Sequence, residues 1–168
     1  SAHETSRFNP SNPYAATKAS AELLVNSYVN TYDLDCVITR CTNNYGPRQF
    51  YEKLIPKTIF LANQNKNIPI YGKGENIRDW IYVNYHCEAV LRVLLDGKKG
   101  ESYNVSSDNE IDNLSIVKKI LELLGKSSDL IEFVTDRPGH DLRYSLNSSK
   151  IKNSLKWNPE ISFDDGIQ

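Results

Sequence analysis

Tyr14-Ala-Ala-Thr-Lys18 is the stretch that decides how this chain is read. Tyr and Lys four positions apart stand one above the other on a helix face. An ammonium beside a phenol favours the phenolate, so a tyrosine with an ordinary pKa near ~10 can act as a base closer to neutral pH. Such a base removes a hydroxyl proton while a nicotinamide accepts the hydride. By itself the pair is a weak signal, since a surface Lys over a packed Tyr has the same spacing. Its surroundings add weight. Asn12-Pro13 supplies an N-cap and a first-position proline. The helix they open is expected to run to about Tyr32. Ala19, Leu23, Leu24, Tyr28 and Val29 make it apolar on more than one side, which predicts packing on both a sheet and a partner.

Working outward, Cys36-Val-Ile-Thr-Arg-Cys41 reads as a short, continuous apolar strand of the buried parallel kind. Asn43-Asn-Tyr-Gly-Pro47 and then a helix follow it. That is the layout of an α/β sheet with ligand groups at the carboxyl end of a strand. The adjacent amides of Asn43 and Asn44 can hydrogen-bond a sugar, a phosphate or a cofactor amide, or serve only to form the turn. Further helices are expected at about Lys53 to Gln64, from an Asn84 cap to near Gly97, from about Leu114 to Gly125, at about Ser148 to Leu155, and from Phe163 onward. Ile68 to Tyr71, Ile77 to Val83, Ser102 to Val105 and Ile131 to Val134 read as strands, Gly72-Lys-Gly74 as a turn, and Thr135 to Arg143 as a polar loop. The fold class is α/β.

The 168 residues are 39% hydrophobic, enough for one domain with a core. Net charge is −1 with no basic stripe, so nucleic acid and anionic membranes are poor partners. No apolar run approaches the ~20 residues that span a bilayer. The polar opening from Ser1 to Arg7 lacks signal-peptide features. Cys36, Cys41 and Cys87 show no C-x-x-C spacing and suggest reduced thiols in a cytoplasmic protein, with Cys36 and Cys41 as small buried hydrophobes. His3, His86 and His140 are too scattered for a metal site. The sequence has no methionine and no G-x-G-x-x-G loop to hold a dinucleotide. The expectation is the back half of an enzyme, beginning inside a longer protein.

Two more groups can carry chemistry. Arg78 lies in a strand beside Asp79 and Trp80; its guanidinium fork suits a diphosphate, or simply pairs with Asp79 at the surface. Asp136-Arg-Pro-Gly-His-Asp141 gathers titratable side chains around a rigid turn. It could present Arg137 and His140 to an anion or be a solvated loop.

Together these stretches resemble the nucleotide-sugar dehydratases of the extended short-chain dehydrogenase/reductase group, and best the dTDP-glucose 4,6-dehydratase family. The matching text is Asn12-Pro-Tyr-Ala-Ala-Thr-Lys-Ala-Ser20, Asn43-Asn-Tyr-Gly-Pro47, Glu52-Lys-Leu-Ile-Pro56, Pro69-Ile-Tyr-Gly72, Arg78-Asp-Trp80 and Asp136-Arg-Pro-Gly-His-Asp141. The resemblance spans essentially the whole chain, with Tyr51 where the family usually has Pro and Asn84-Tyr85 where it has an acidic residue. It implies NAD as cofactor and a nucleotide-activated glucose, most naturally dTDP-glucose, dehydrated to a 4-keto-6-deoxy sugar for deoxysugar and cell-surface polysaccharide synthesis.

Tyr14 would be the base at the sugar 4-hydroxyl, and Lys18 would bind the nicotinamide ribose. Asn44 would touch the cofactor and Asn43 the substrate. Lys53 and Leu54 would line the substrate site, and Pro69, Ile70 and Tyr71 would hold the nucleotide base. Arg78 and Arg137 would face the diphosphate. Asn113 and His140 would complete the pocket, with Asp136, Pro138 and Gly139 in the same loop.

The resemblance implies that residues 1–47 belong to a dinucleotide-binding Rossmann domain lacking its glycine-loop half. Residues 48–168 would be mainly a smaller mixed α/β nucleotide-sugar lobe, with 77–97 packing back on the first domain. A family Asp-Glu acid–base pair is not matched by His3-Glu4. It also implies a homodimer through the helix starting at Tyr14, and a segment inactive and poorly stable alone. A nucleotide-sugar binding module without catalysis and a nucleotide-sugar 4-epimerase are the competing expectations.

Overall fold

The computed structural model describes residues 1–168. The elements run α1 (Pro13–Tyr32), β1 (Ile38–Cys41), β2 (Asn43–Tyr45), α2 (Leu54–Asn63), β3 (Ile68–Tyr71), β4 (Ile77–Tyr82) and α3 (Val83–Asp96). They continue with β5 (Ser102–Val105), β6 (Glu110–Asp112), α4 (Asn113–Leu123), β7 (Ile131–Val134), β8 (Arg143–Tyr144), α5 (Ser149–Leu155) and α6 (Phe163–Gly166). This is the α/β architecture expected.

The strand from Ile38 to Tyr45 changes partner halfway along. β1 pairs in parallel with β5, ending at Cys41 opposite Val105. Thr42 still donates its N–H to the Val105 carbonyl at 3.1 Å. One residue later β2 pairs in parallel with β4, Asn43 opposite Trp80. β4 also holds β6 antiparallel and β8 in parallel, while β3 and β7 form a separate parallel pair. These short polar strands explain two corrections. Asn43–Tyr45 is strand rather than turn, and Arg143–Tyr144 closes the supposed loop as a strand. Neither has an apolar alternation to announce it, since each is held by backbone bonds to a neighbour distant in sequence.

Three buried clusters organise the layers. Ile81, Ala89, Val93, Tyr103, Val105, Ile151 and Trp157 pack where α3 and α5 cover β5. α4 serves the other two. Ile116 and Ile120 join Tyr45, Ile55, Trp80 and Phe163, whereas Val117 and Leu121 join Ala62, Ile68 and Ile70. Adjacent ridges of one helix thus fill two neighbouring cores, which is why its apolar stripe is wide.

α1 is the exception. Asn12 caps it, accepting from the Ala15 N–H at 2.9 Å, with Pro13 in the first turn. Yet none of its residues is buried, and Leu23, Leu24, Tyr28 and Tyr32 are exposed. Its other face, with Ala15, Ala19, Val25 and Val29, is half-buried, so the expected packing on the sheet side is only partial. A Glu22–Arg40 ion pair at 2.8 Å ties its middle to β1. The Asn84 cap is also corrected. α3 begins at Val83 directly from β4, with Tyr82 at the cap position and no side-chain cap bond. Cys36 and Cys41 are half-buried rather than buried, and Cys87 is exposed.

Candidate active site

Arg78 and Asp79 are successive residues of β4, so their side chains leave on opposite faces. The surface pair between them is not formed. Arg78 donates from Nη1 to the Ile77 carbonyl at 2.7 Å and from Nη2 to the Asp141 carbonyl at 2.8 Å. Burial lowers its pKa from the ordinary value, and the nearby Arg137 cation lowers it further against the opposing pull of Asp141 and Asp136. Two guanidinium forks lie close enough to feel each other, with Asp141 and Asp136 as counter-charges, and paired forks can grip the oxygens of a diphosphate.

The Asp136–Asp141 loop is an organised unit. The His140 ring places Nδ1 2.7 Å from Asp136 Oδ1 and Nε2 3.0 Å from Arg137 Nη2. Both bonds are satisfied when Nδ1 carries the proton and donates it to the carboxylate while Nε2 accepts from the guanidinium. The His140 bond, together with the Arg137 N–H, holds the Asp136 carboxyl below its usual range. Arg137 lies over the Tyr71 ring at 5.0 Å, and His140 meets that ring edge-on with centroids 6.5 Å apart. Gly72 makes this approach possible. Its φ is +57°, and a Cβ there would lie 3.2 Å from Asp136 Oδ2.

Asn76 and Asp141 join this unit to the rest. Buried Asn76 places Nδ2 3.3 Å from the Asp141 carbonyl and 3.2 Å from His140 Nδ1, and its own carbonyl accepts from the Asn113 N–H at 3.1 Å. The Ser11 hydroxyl donates to Asp141 Oδ1 at 3.0 Å, directly before the Asn12 cap of α1. Arg78, Asp141, Ser11 and Asn12 therefore form a continuous path from the guanidinium cluster to the turn carrying Tyr14.

Tyr144 adds a second tie. Its hydroxyl donates to the Cys41 carbonyl at 3.1 Å. Burial raises its pKa, helped by the nearby Cys41, Tyr14 and Glu22. Cys41 in turn places Sγ 3.4 Å from Asn44 Nδ2, so Tyr144 and Asn44 meet at the same end of β1. Asn44 also donates from Nδ2 to the Thr42 carbonyl at 3.3 Å, while its Oδ1 is buried without a donor. That acceptor is open to a water or to a ligand N–H. With Tyr14 and Lys18 exposed on the first turns of α1, the residues present fit the nicotinamide end of NAD.

Not every expected residue joins. Ile70 points into the core, so its side chain is closed to a ligand, while Pro69 is half-exposed and Tyr71 exposed. Leu54 is half-buried against two core clusters. Lys53 stands exposed at the cap of α2, and Asn43 is half-buried in β2. Pro138 and Gly139 are exposed at the loop tip, with Gly139 against Ser11 and Asn12. Sequence reasoning missed the linking residues Ser11, Asn76 and Tyr144; nothing local marks them. A 440 Å³ cleft lined in part by Glu4, Phe8, Asn26, Asn30 and Arg40 holds none of the expected site residues.

The chain belongs to the family described as GDP-mannose 4,6 dehydratase, which matches residues 1–168. It is 54% identical over 159 residues to the low-salt glycan biosynthesis protein Agl12 of Haloferax volcanii, covering 95% of this chain and 51% of that protein. To dTDP-glucose 4,6-dehydratase 1 of Escherichia coli K12 it is 45% identical over 172 residues, covering 98% of this chain and 48% of that one. The crystal structure of DesIV, a dTDP-glucose 4,6-dehydratase from Streptomyces venezuelae with NAD bound, superposes with a TM-score of 0.97 at 42% identity, over 99% of this chain and 52% of that one. The chain spans about half the length of the curated relatives it matches.

Proposed function

We propose that residues 1–168 supply the tyrosine base and the nucleotide-diphosphate site of an NAD-dependent dTDP-glucose 4,6-dehydratase. The observation that carries this reading is the Arg78–Asp141–Ser11 path, which sets the start of α1 beside the guanidinium cluster. Likeness to dTDP-glucose 4,6-dehydratases of two organisms supports the substrate. Tyr14 takes the proton of the sugar 4-hydroxyl, and Lys18 and Asn44 hold the nicotinamide end of the cofactor. Arg78 and Arg137 neutralise the diphosphate while Tyr71, with Pro69, flanks the base. His140 and Asp136 keep Arg137 aimed; Asn113 is held nearby through Asn76. Asn43, Lys53 and Leu54 face the sugar. NAD, when bound, supplies reversible hydride transfer.

No helix is long and apolar enough to cross a membrane. Reduced cysteines fit a cytoplasmic setting. The bare apolar face of α1 fits a homodimer formed through that helix. Residues 1–47 would serve the cofactor side and 48–168 mainly the substrate side, with β4 and α3 packing back on the first part.

Calorimetric titration of dTDP into the 168-residue chain tests the reading. Saturable binding that Arg78→Ala weakens is expected. Binding that is absent, or indifferent to Arg78 and Arg137, would falsify it.

A further inference from the structure

The Asp79 carboxylate is 1% exposed, and none of the roles above uses it. Thr42 donates its hydroxyl to Asp79 Oδ1 at 2.9 Å. Ser107 places its backbone N–H and its hydroxyl each 3.1 Å from the same oxygen. The Ser106 hydroxyl lies 3.1 Å from Oδ2. These donors come from the two strands that part company here. Thr42 is the residue at which the Ile38–Tyr45 strand leaves β5 for β4, and Ser106 and Ser107 are the first residues beyond β5. The carboxylate, on β4, sits at the fork of three strands.

We infer that Asp79 is a positioning residue that fixes the register between Arg78, the residue before it, and Asn43–Asn44, the residues after Thr42. The inference rests on the proposal that Arg78 and Asn43–Asn44 face one ligand. The β2–β4 ladder that carries this register is only three residues long and begins at Asn43, so the Thr42 bond to Asp79 anchors its first rung. A carboxylate accepts up to about four hydrogen bonds and can bridge strands that no longer pair. An apolar side chain would fill the same space, and replacing buried ionic groups by apolar ones is often neutral or stabilising. What it would not do is specify which residue of one strand lies opposite which of the next.

The test compares dTDP, which meets only the Arg78 side, with dTDP-glucose, which also reaches the Asn43 side. In Asp79→Asn, the dTDP affinity should stay within about threefold of wild type, while the extra affinity brought by the sugar should fall about tenfold. Asn43→Ala added to this variant should cost nothing further. Thr42→Val, which removes one donor at constant shape, should move the same way by less and covers the case in which Asp79→Asn does not fold. Equal losses for both ligands, or no extra affinity for dTDP-glucose in the wild type, would overturn the inference.

Amide hydrogen exchange reads the fork without any ligand. In the variants Asn43, Asn44 and Tyr45 should lose protection relative to β3 by about tenfold; unchanged protection would overturn the inference. If the wild-type chain binds neither ligand, the proposed function fails, and exchange still decides whether Asp79 sets the register.

Discussion

Around His140 each polar side chain is held by another, whereas α1 carries Tyr14 and Lys18 on a helix with no buried residue. The two regions meet at Ser11 and Asp141 but are stabilised by different means. The loop side stands on α4, whose Ile116, Val117, Ile120 and Leu121 are all buried, and on strands that pair with β4. The helix side relies on its own caps, on the Glu22–Arg40 pair to β1 and on the Asp33–Lys99 pair at its end. The loop side is thus preorganised, which is what the proposed diphosphate site requires. α1 is tied by polar contacts at its start, middle and end, leaving Leu23, Leu24, Tyr28 and Tyr32 exposed.

This contrast is open to direct attack. Ile116→Ala should destabilise the chain by about 2–5 kcal/mol in urea unfolding, because Ile116 is 0% exposed. Leu24→Ala on α1 should change stability by less than ~0.5 kcal/mol. Comparable losses would show that α1 is as well supported as the core. Arg78→Ala should weaken dTDP roughly ten- to hundredfold, the scale of about 1.5–3 kcal/mol for a hydrogen bond to a charged group. Tyr14→Phe should leave dTDP within about twofold. Titration calorimetry on both variants separates the halves; a large loss in Tyr14→Phe would merge them.

Smaller effects sharpen the boundary. Asn12→Ala removes the cap bond to Ala15 and should lower thermal stability by about 1 kcal/mol, with the helical circular dichroism signal falling first. The mildest is an acid transition of the Asp136–Asp141 loop. The folded pKa of Asp136 is depressed below its unfolded value, chiefly by His140. Its contribution is therefore full above the unfolded pKa and disappears as pH falls through the depressed one. The Arg137 amide resonance should follow that titration below the ordinary carboxylate range, and Asp136→Asn should abolish it. A midpoint at the ordinary value would mean that His140 does not hold the carboxylate in solution.

Much of this was legible along the chain. The Asn12-Pro13 opening, the stripe from Ile116 to Leu121 and the strand Ile68 to Tyr71 each carry a local signal that survives in the fold. Asp79 shows where legibility ends. As a neighbour of Arg78 it reads as half of a surface pair, yet alternation along β4 sends the two side chains apart. Its partners are 37 and 27 residues distant. Asn76, Ser11 and Tyr144 are ordinary residues whose importance comes from what lies opposite. β8 was hidden for the same reason, since two residues held by a neighbouring backbone leave no pattern.

By itself the sequence determined the helices, the apolar strands, the Tyr14–Lys18 spacing and the chemistry-bearing loop, because caps, periodicity and turns are decided among residues close along the chain. Only the tertiary structure decided that the Ile38–Tyr45 strand switches partner at Thr42, that Asp141 joins Arg78 to the start of α1, and that the Leu23, Leu24, Tyr28 and Tyr32 face of α1 is left exposed. Those are matters of which distant surfaces meet, and they are set by the sum of many weak packing and hydrogen-bonding contributions rather than by any local one.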